Sequence, residues 1–133
     1  MPKPLIVSSH HKLQVASTVD ELRAMLSAPD SRGGGEFWLA TEADRFPCLA
    51  VRVSDGQCDV HYFPFDGHPG YRRLSAIQRN QDEYVALRFE GCDPYDGEET
   101  PAEFILPLHE GLDIASAFMR EGTMSEPVRW LEL

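Results

Sequence analysis

No apolar run in this chain approaches the roughly 20 residues that a membrane span needs. The N-terminal stretch MPKPLIVSSHHK offers only a four-residue apolar run and no signal-peptide core, so a cytoplasmic location is expected. Cysteine is scarce: three residues, an odd number that cannot pair off within one chain. Free thiols in a reducing compartment are the simpler reading. Catalytic motifs are also missing, since no HExxH, CxxC or GxSxG occurs. The glycine-rich DSRGGG at 30–35 runs into Glu36 instead of the Lys-Ser/Thr of a phosphate loop, and is read as a flexible turn. Positive charge is absent from a long stretch: between Phe89 and Met119 there is no Lys or Arg, against eight acids. Over the whole chain 22 acidic residues face 12 basic ones, for a net charge of −10. Residues 1–35 carry a net +1 and residues 36–133 a net −11. A surface for nucleic acid or for an anionic membrane needs the opposite sign, so neither is an expected partner. A basic protein partner is favoured instead.

What is present is enough for one folded domain over residues 1–133. The chain is 42% hydrophobic, with seven Phe and two Trp, and the length suits a single modest core. Its central stretch, Phe46–Phe65 (FPCLAVRVSDGQCDVHYFPF), reads as a β-hairpin with Asp55-Gly56 at the tip, the dipeptide that accepts the two positive φ angles of a type I′ turn. The turn sets the register: Val53 faces Cys58, Arg52 faces Asp59, Val51 faces Val60, Ala50 faces His61 and Leu49 faces Tyr62. Alternation then places Leu49, Val51, Val53, Cys58, Val60 and Tyr62 on an apolar face. Arg52, Asp59 and His61 fall on a mixed face, with Arg52 and Asp59 as an opposite-charge pair. Cys48 and Cys58 lie on opposite faces, which argues against a bridge between them. Cys92 is read as a loop residue with nothing basic beside it in sequence to lower its pKa.

Around the hairpin, Leu5–Val7 and Leu13–Val15 are expected as short strands. Thr18-Val19-Asp20-Glu21 is a capping box, opening a helix that buries Val19, Leu22, Met25 and Leu26 and stops before Pro29. Glu36–Thr41 and Tyr84–Phe89 read as strands, the latter with Val85, Leu87 and Phe89 on one face. Between them YRRLSAIQRNQ, holding Arg72, Arg73 and Arg79, is read as a solvated, irregular segment. Phe104–Leu106 is expected to pair with Tyr84–Phe89 across the long acidic connection Glu90–Glu103. Pro107–Glu121 reads as a helix with Leu108, Leu112, Ala115, Phe118 and Met119 inward and Gly122 as its stop. Pro127–Leu133 closes the chain as a strand. The class is α+β: a single antiparallel sheet of about five to seven strands built from hairpins, with two helices, near the N- and C-terminal ends, on one face.

Catalytic arrangements do not assemble from these residues. His10 and His11 are adjacent, so in an extended segment their rings diverge and cannot share a metal; His68 and His109 lack a spaced partner. An EF-hand beginning at Asp93 would need acids where Tyr95 and Gly97 stand and Glu where Phe104 stands. Neither an enzyme nor a cofactor or metal is expected. The acidic connection has another use. It is long for a hairpin link, and Tyr95 in its middle is the kind of aromatic anchor that interfaces favour. An acidic loop bearing an aromatic mimics the polyanionic substrate of a basic enzyme.

The order FWLA, LAVRVSDGQCDVHYF, then a strand with an acidic loop, and finally FILPLHEGLDIASAFMREGTMSEPVRWLEL resembles the Imm1 family of immunity proteins from bacterial polymorphic toxin systems. The likeness covers about Glu36–Glu132, and its matching positions are Pro107, Ala115, Phe118, Gly122 and Trp130. It implies a non-enzymatic inhibitor that binds the cognate toxin domain encoded by an adjacent gene, often a nuclease or nucleic-acid deaminase with a basic cleft. The matched positions read as structural and transfer no contact site. The toxin-binding residues are therefore chosen by charge and exposure: Glu90, Asp93, Tyr95, Asp96, Glu98, Glu99 and Glu103, with Asp66 apart from them. The alternative is a small cytoplasmic adaptor or regulatory module that binds a peptide or ligand on the mixed face around Arg52, Asp59 and His61.

Overall fold

The computed structural model describes residues 3–10, 12–29, 33–76, 82–92, 97–124 and 129–133. Among them the strands are β1 (Leu5–Ser8), β2 (Leu13–Ala16), β3 (Gly34–Thr41), β4 (Cys48–Ser54), β5 (Gln57–Phe63), β6 (Tyr71–Arg73), β7 (Tyr84–Leu87), β8 (Glu98–Pro101), β9 (Leu106–Pro107) and β10 (Trp130–Glu132). The helices are α1 (Val19–Ser27) and α2 (Leu108–Glu121). Seven strands run in the order β10-β6-β5-β4-β3-β1-β2, and β9 adds to the outer edge of β5 below β6. All their pairings are antiparallel. The class is α+β.

The β4–β5 hairpin forms in the expected register, from Val53 opposite Cys58 to Leu49 opposite Tyr62. Its tip takes the two positive φ angles, 51° at Asp55 and 79° at Gly56. Helix α1 begins as its capping box requires: the Glu21 amide donates to Thr18 Oγ1 at 3.1 Å, and the helix ends at Ser27, with Pro29 two residues on. Helix α2 is stopped by Gly122 in the left-handed region at φ 72°. Both helices lie on the apolar face. Leu22 and Leu26 of α1, with Ile114, Ala115, Phe118 and Met119 of α2, share one core with Val7, Leu39, Leu49, Val51, Val60 and Tyr62. Ile114 joins the inward side chains expected of α2, and Gly111 brings the helix down onto the sheet, where a Cβ would collide with Cys58 Sγ. Phe118 and Trp130 are core residues.

Four expectations need correction. The partner of β7 is not Phe104–Leu106 but β8, with Tyr84 opposite Pro101 and Leu87 opposite Glu98. Ala102–Phe104 is instead a 3₁₀ turn, and Leu106 continues into β9. Second, among the described residues β7 and β8 form a separate two-stranded sheet beside the main one. Third, Gly34 and Gly35 are buried strand residues of β3, not part of a flexible turn. A Cβ on Gly34 would collide with the carbonyl oxygens of Val53 and Arg88, so this glycine lets β3 pass between β4 and the β7–β8 hairpin. Fourth, Arg72 and Arg73 are not solvated: they belong to β6, and Arg73 is buried. Arg79 lies outside the described residues.

The Gly34→Ala variant should therefore lose stability by about 2–4 kcal/mol, because the obstructing atoms are backbone and cannot rotate away. Urea unfolding measures it; an unchanged midpoint would mean that this close approach is not needed.

Candidate functional site

The helices occupy one face of the main sheet, and the other face carries the polar and aromatic side chains. The strand register sorts that face into rows. One row crosses all seven strands: Leu13, Ser8, Trp38, Ala50, His61, Arg72 and Leu131. The next, toward the β4–β5 turn, is Glu36, Arg52 and Asp59. On the other side lie Val15, Ile6 and Ala40, and then Cys48 opposite Phe63.

The row through Asp59 is an ion ladder. Asp59 is fully buried at 0% exposure. Arg52 Nε donates to its Oδ1 at 2.9 Å and Arg52 Nη2 to its Oδ2, while Arg72 Nη2 also donates to Oδ2, at 2.9 Å. The bidentate fork of Arg52 is the strong form of such a pair. Burial pulls the Arg52 guanidinium pKa down, but the hydrogen bond and charge of Asp59 outweigh it, and the net shift is upward. For Arg72 burial prevails over Asp59 and the shift is downward. Arg72 also stacks its guanidinium 4.0 Å from the Phe104 ring centroid, and its Nε is a buried donor with no hydrogen-bond partner among the described residues.

This ladder holds the second sheet in place. Arg52 Nη2 donates to Thr100 Oγ1 of β8 at 3.3 Å, and the Arg88 amide donates to Ser54 Oγ of β4 at 2.8 Å. Leu87, Phe89, Cys92 and Ile105 form a small core of their own, with Val85 against it. Cys92 is thus a buried residue of that core and not an exposed loop thiol. Burial, with the neighbouring Asp59 carboxylate, pushes the Cys58 thiol up to about 12, so its thiolate is scarce at neutral pH.

The expected acidic residues do not share one loop. Glu98 and Glu99 are exposed on strand β8, on opposite sides of it because side chains alternate. Glu98 is near enough to Arg52 to raise its pKa. Glu103 is exposed in the 3₁₀ turn, and its charge opposes the net downward shift of Arg72. Glu90 lines a separate cleft of about 290 Å³ with Glu36 and His10. Asp93, Tyr95 and Asp96 lie outside the described residues. Asp66 stands apart, beside a groove of about 610 Å³ over the aromatic part of the face. Glu98 and Glu99 thus share β8, with Glu103 in the turn that follows it, while Glu90 and Asp66 lie elsewhere.

The mixed face is not one binding surface either. Asp59 is fully buried, which removes one of the three residues expected to meet a ligand there, and Arg52 is bonded to Asp59 and Thr100. His61 is partly buried, and burial, reinforced by the Arg72 guanidinium, pushes its pKa down to about 4. What stays open is the aromatic part, unanticipated from the sequence: Trp38 stacks on Phe63 at 5.7 Å and His61 on Phe63 at 5.8 Å. Trp38 retains 43% exposure and Leu13 74%. The period-two pattern of β3 already puts Trp38 opposite the core-facing Phe37 and Leu39, and that signal could have found it. His68, expected to lack a partner, places Nε2 3.1 Å from Glu132 Oε2, and its Nδ1 accepts from the Gly70 amide at 2.8 Å.

Among the described residues no helix is long and apolar enough to cross a membrane, and no group of three metal-ligating side chains converges. Compared with models of known protein families and with curated proteins, the chain matches none.

Removing the Asp59 carboxylate leaves two largely buried guanidinium groups facing each other. Asp59→Ala should cost about 3–5 kcal/mol in urea unfolding, and a loss below 1 kcal/mol would contradict the ladder's role. For His61 the folded pKa lies below the ordinary value of 6.5. The unfolded chain therefore binds the proton more tightly, so the contribution is fully present above pH 6.5 and is lost as pH falls toward 4. It amounts to at most about 3 kcal/mol before solvent screening reduces it. In His61→Gln the stability difference from the parent protein should change across that window and stay flat above pH 7.

Proposed function

We propose that this protein is a non-enzymatic binding protein of the immunity type, which neutralises a cognate toxin domain by covering its basic substrate cleft in a stoichiometric complex. The observation that carries this reading is the β7–β8 projection. Glu98 and Glu99 are exposed on it and Glu103 in the turn that follows; Arg52 ties β8 to the sheet, and Arg72 packs on that turn. Carboxylates on a held scaffold complement a basic cleft without ordering a loop on binding. The net −11 of residues 36–133 would also steer a cationic partner during encounter. The likeness of residues 36–132 to Imm1 immunity proteins points the same way and names the partner's class, a nuclease or nucleic-acid deaminase. The partner would be encoded by the adjacent gene and met in the cytoplasm.

Co-purification with that gene product tests the reading. A tight complex should form, abolish the toxin's activity, and associate more slowly as salt rises from 50 to 500 mM. Glu99→Lys is the informative variant, because Glu98 also acts on Arg52. It should slow association about three- to tenfold while the melting temperature holds. Full activity of the toxin in the presence of excess protein would overturn the proposal.

A further inference from the structure

We propose that the aromatic groove on the open part of the sheet is a second docking surface, which receives one large apolar side chain of a protein partner flanked by lysine or arginine. The inference does not rest on toxin neutralisation, and the groove is separate from the acidic β7–β8 projection.

The groove lies between two connections, 42–47 and 64–70, with Trp38 and Phe63 stacked in its floor and Ile6 beside them. Its volume of about 610 Å³ falls within the range of ligand-sized clefts, roughly 300–1,000 Å³. Both walls are held in shape before anything binds. The Asp44 amide donates to Thr41 Oγ1 at 3.2 Å in the first. In the second, His68 is tied to Glu132 and to the Gly70 amide, with its ring stacked on Tyr71 at 5.1 Å. A preformed apolar floor with a part-exposed tryptophan suits a single anchoring side chain, because little conformational freedom is lost on docking.

Charge decides the kind of partner. Among the described residues the rim carries the carboxylates of Glu42, Asp44 and Asp66 against the guanidinium of Arg45. An acidic segment or an anionic ligand would meet three like charges there. A side chain such as Leu, Phe or Met with a Lys or Arg one or two residues away meets apolar floor and carboxylate rim together.

Selection from a random-peptide display library against the full chain tests the proposal, with affinities of the recovered peptides measured on the parent protein and on three variants. The recovered peptides should pair a large apolar residue with Lys or Arg. They should also shift the indole N–H resonance of Trp38, identified by its loss in Trp38→Phe. Trp38→Ala should weaken binding at least tenfold, and the doubly reversed Asp44→Lys/Asp66→Lys protein about as much, each with an unchanged far-ultraviolet spectrum. Binding should survive Glu99→Lys, which separates this surface from the acidic projection. Recovery of uncharged or acidic peptides, or binding indifferent to Trp38→Ala, would overturn the proposal. So would a dimer of the chain, seen by sedimentation, that Trp38→Ala dissolves, because a second copy would then be the occupant.

Discussion

The fold turns on one buried carboxylate. Asp59 sits inside the sheet's non-helical face with Arg52 on one side and Arg72 on the other, paired with both. An unpaired charge at that depth costs several kcal/mol, so none of them can be removed singly without loss. Each arginine then reaches beyond the carboxylate. Arg52 continues to Thr100 on β8, and Arg72 lies on Phe104 in the turn that follows. Through these contacts a two-stranded sheet that would be marginal alone is fixed against the main one.

That arrangement decides what each face is free to do. The helix face is used up by the core. The opposite face is divided: its end near the β4–β5 turn is covered by the β7–β8 projection, and the remainder, with Trp38 and Phe63, stays open. Acidic side chains stand on the projection and again around the open groove. Both regions suit cationic protein surfaces, and the toxin-neutralising proposal and the groove proposal each draw on one of them.

Legibility in the sequence followed how local the determining physics was. The β4–β5 register could be written down because Asp55-Gly56 fixes the turn, and one turn fixes every pair behind it. The ends of α1 and α2 were readable for the same reason, from Thr18, Glu21, Pro29 and Gly122. β8 was missed because Glu-Glu-Thr-Pro has no apolar alternation, and its pairing depends on Thr100 meeting Arg52, 48 residues away in sequence. Arg72 and Arg73 read as solvated because a charged pair is usually exposed; burial becomes tolerable only when Asp59 and Phe104 meet Arg72 and Trp130 meets Arg73. Gly34 looked like linker for want of any sign that two backbones pass close to it. Of the candidate site, the exposed acids Glu98, Glu99 and Glu103 were legible from composition. Their placement on a strand and a turn, and the Trp38–Phe63 floor, came from long-range pairing.

Both proposals place partners on the face opposite the helices. Amide hydrogen exchange of the protein, alone and in complex with the adjacent-gene product, tests that placement most directly. Protection should rise in β7–β8 and in strands β3 and β5 around Trp38 and Phe63, with α1 and α2 unchanged. Protection confined to α1 and α2 would contradict it.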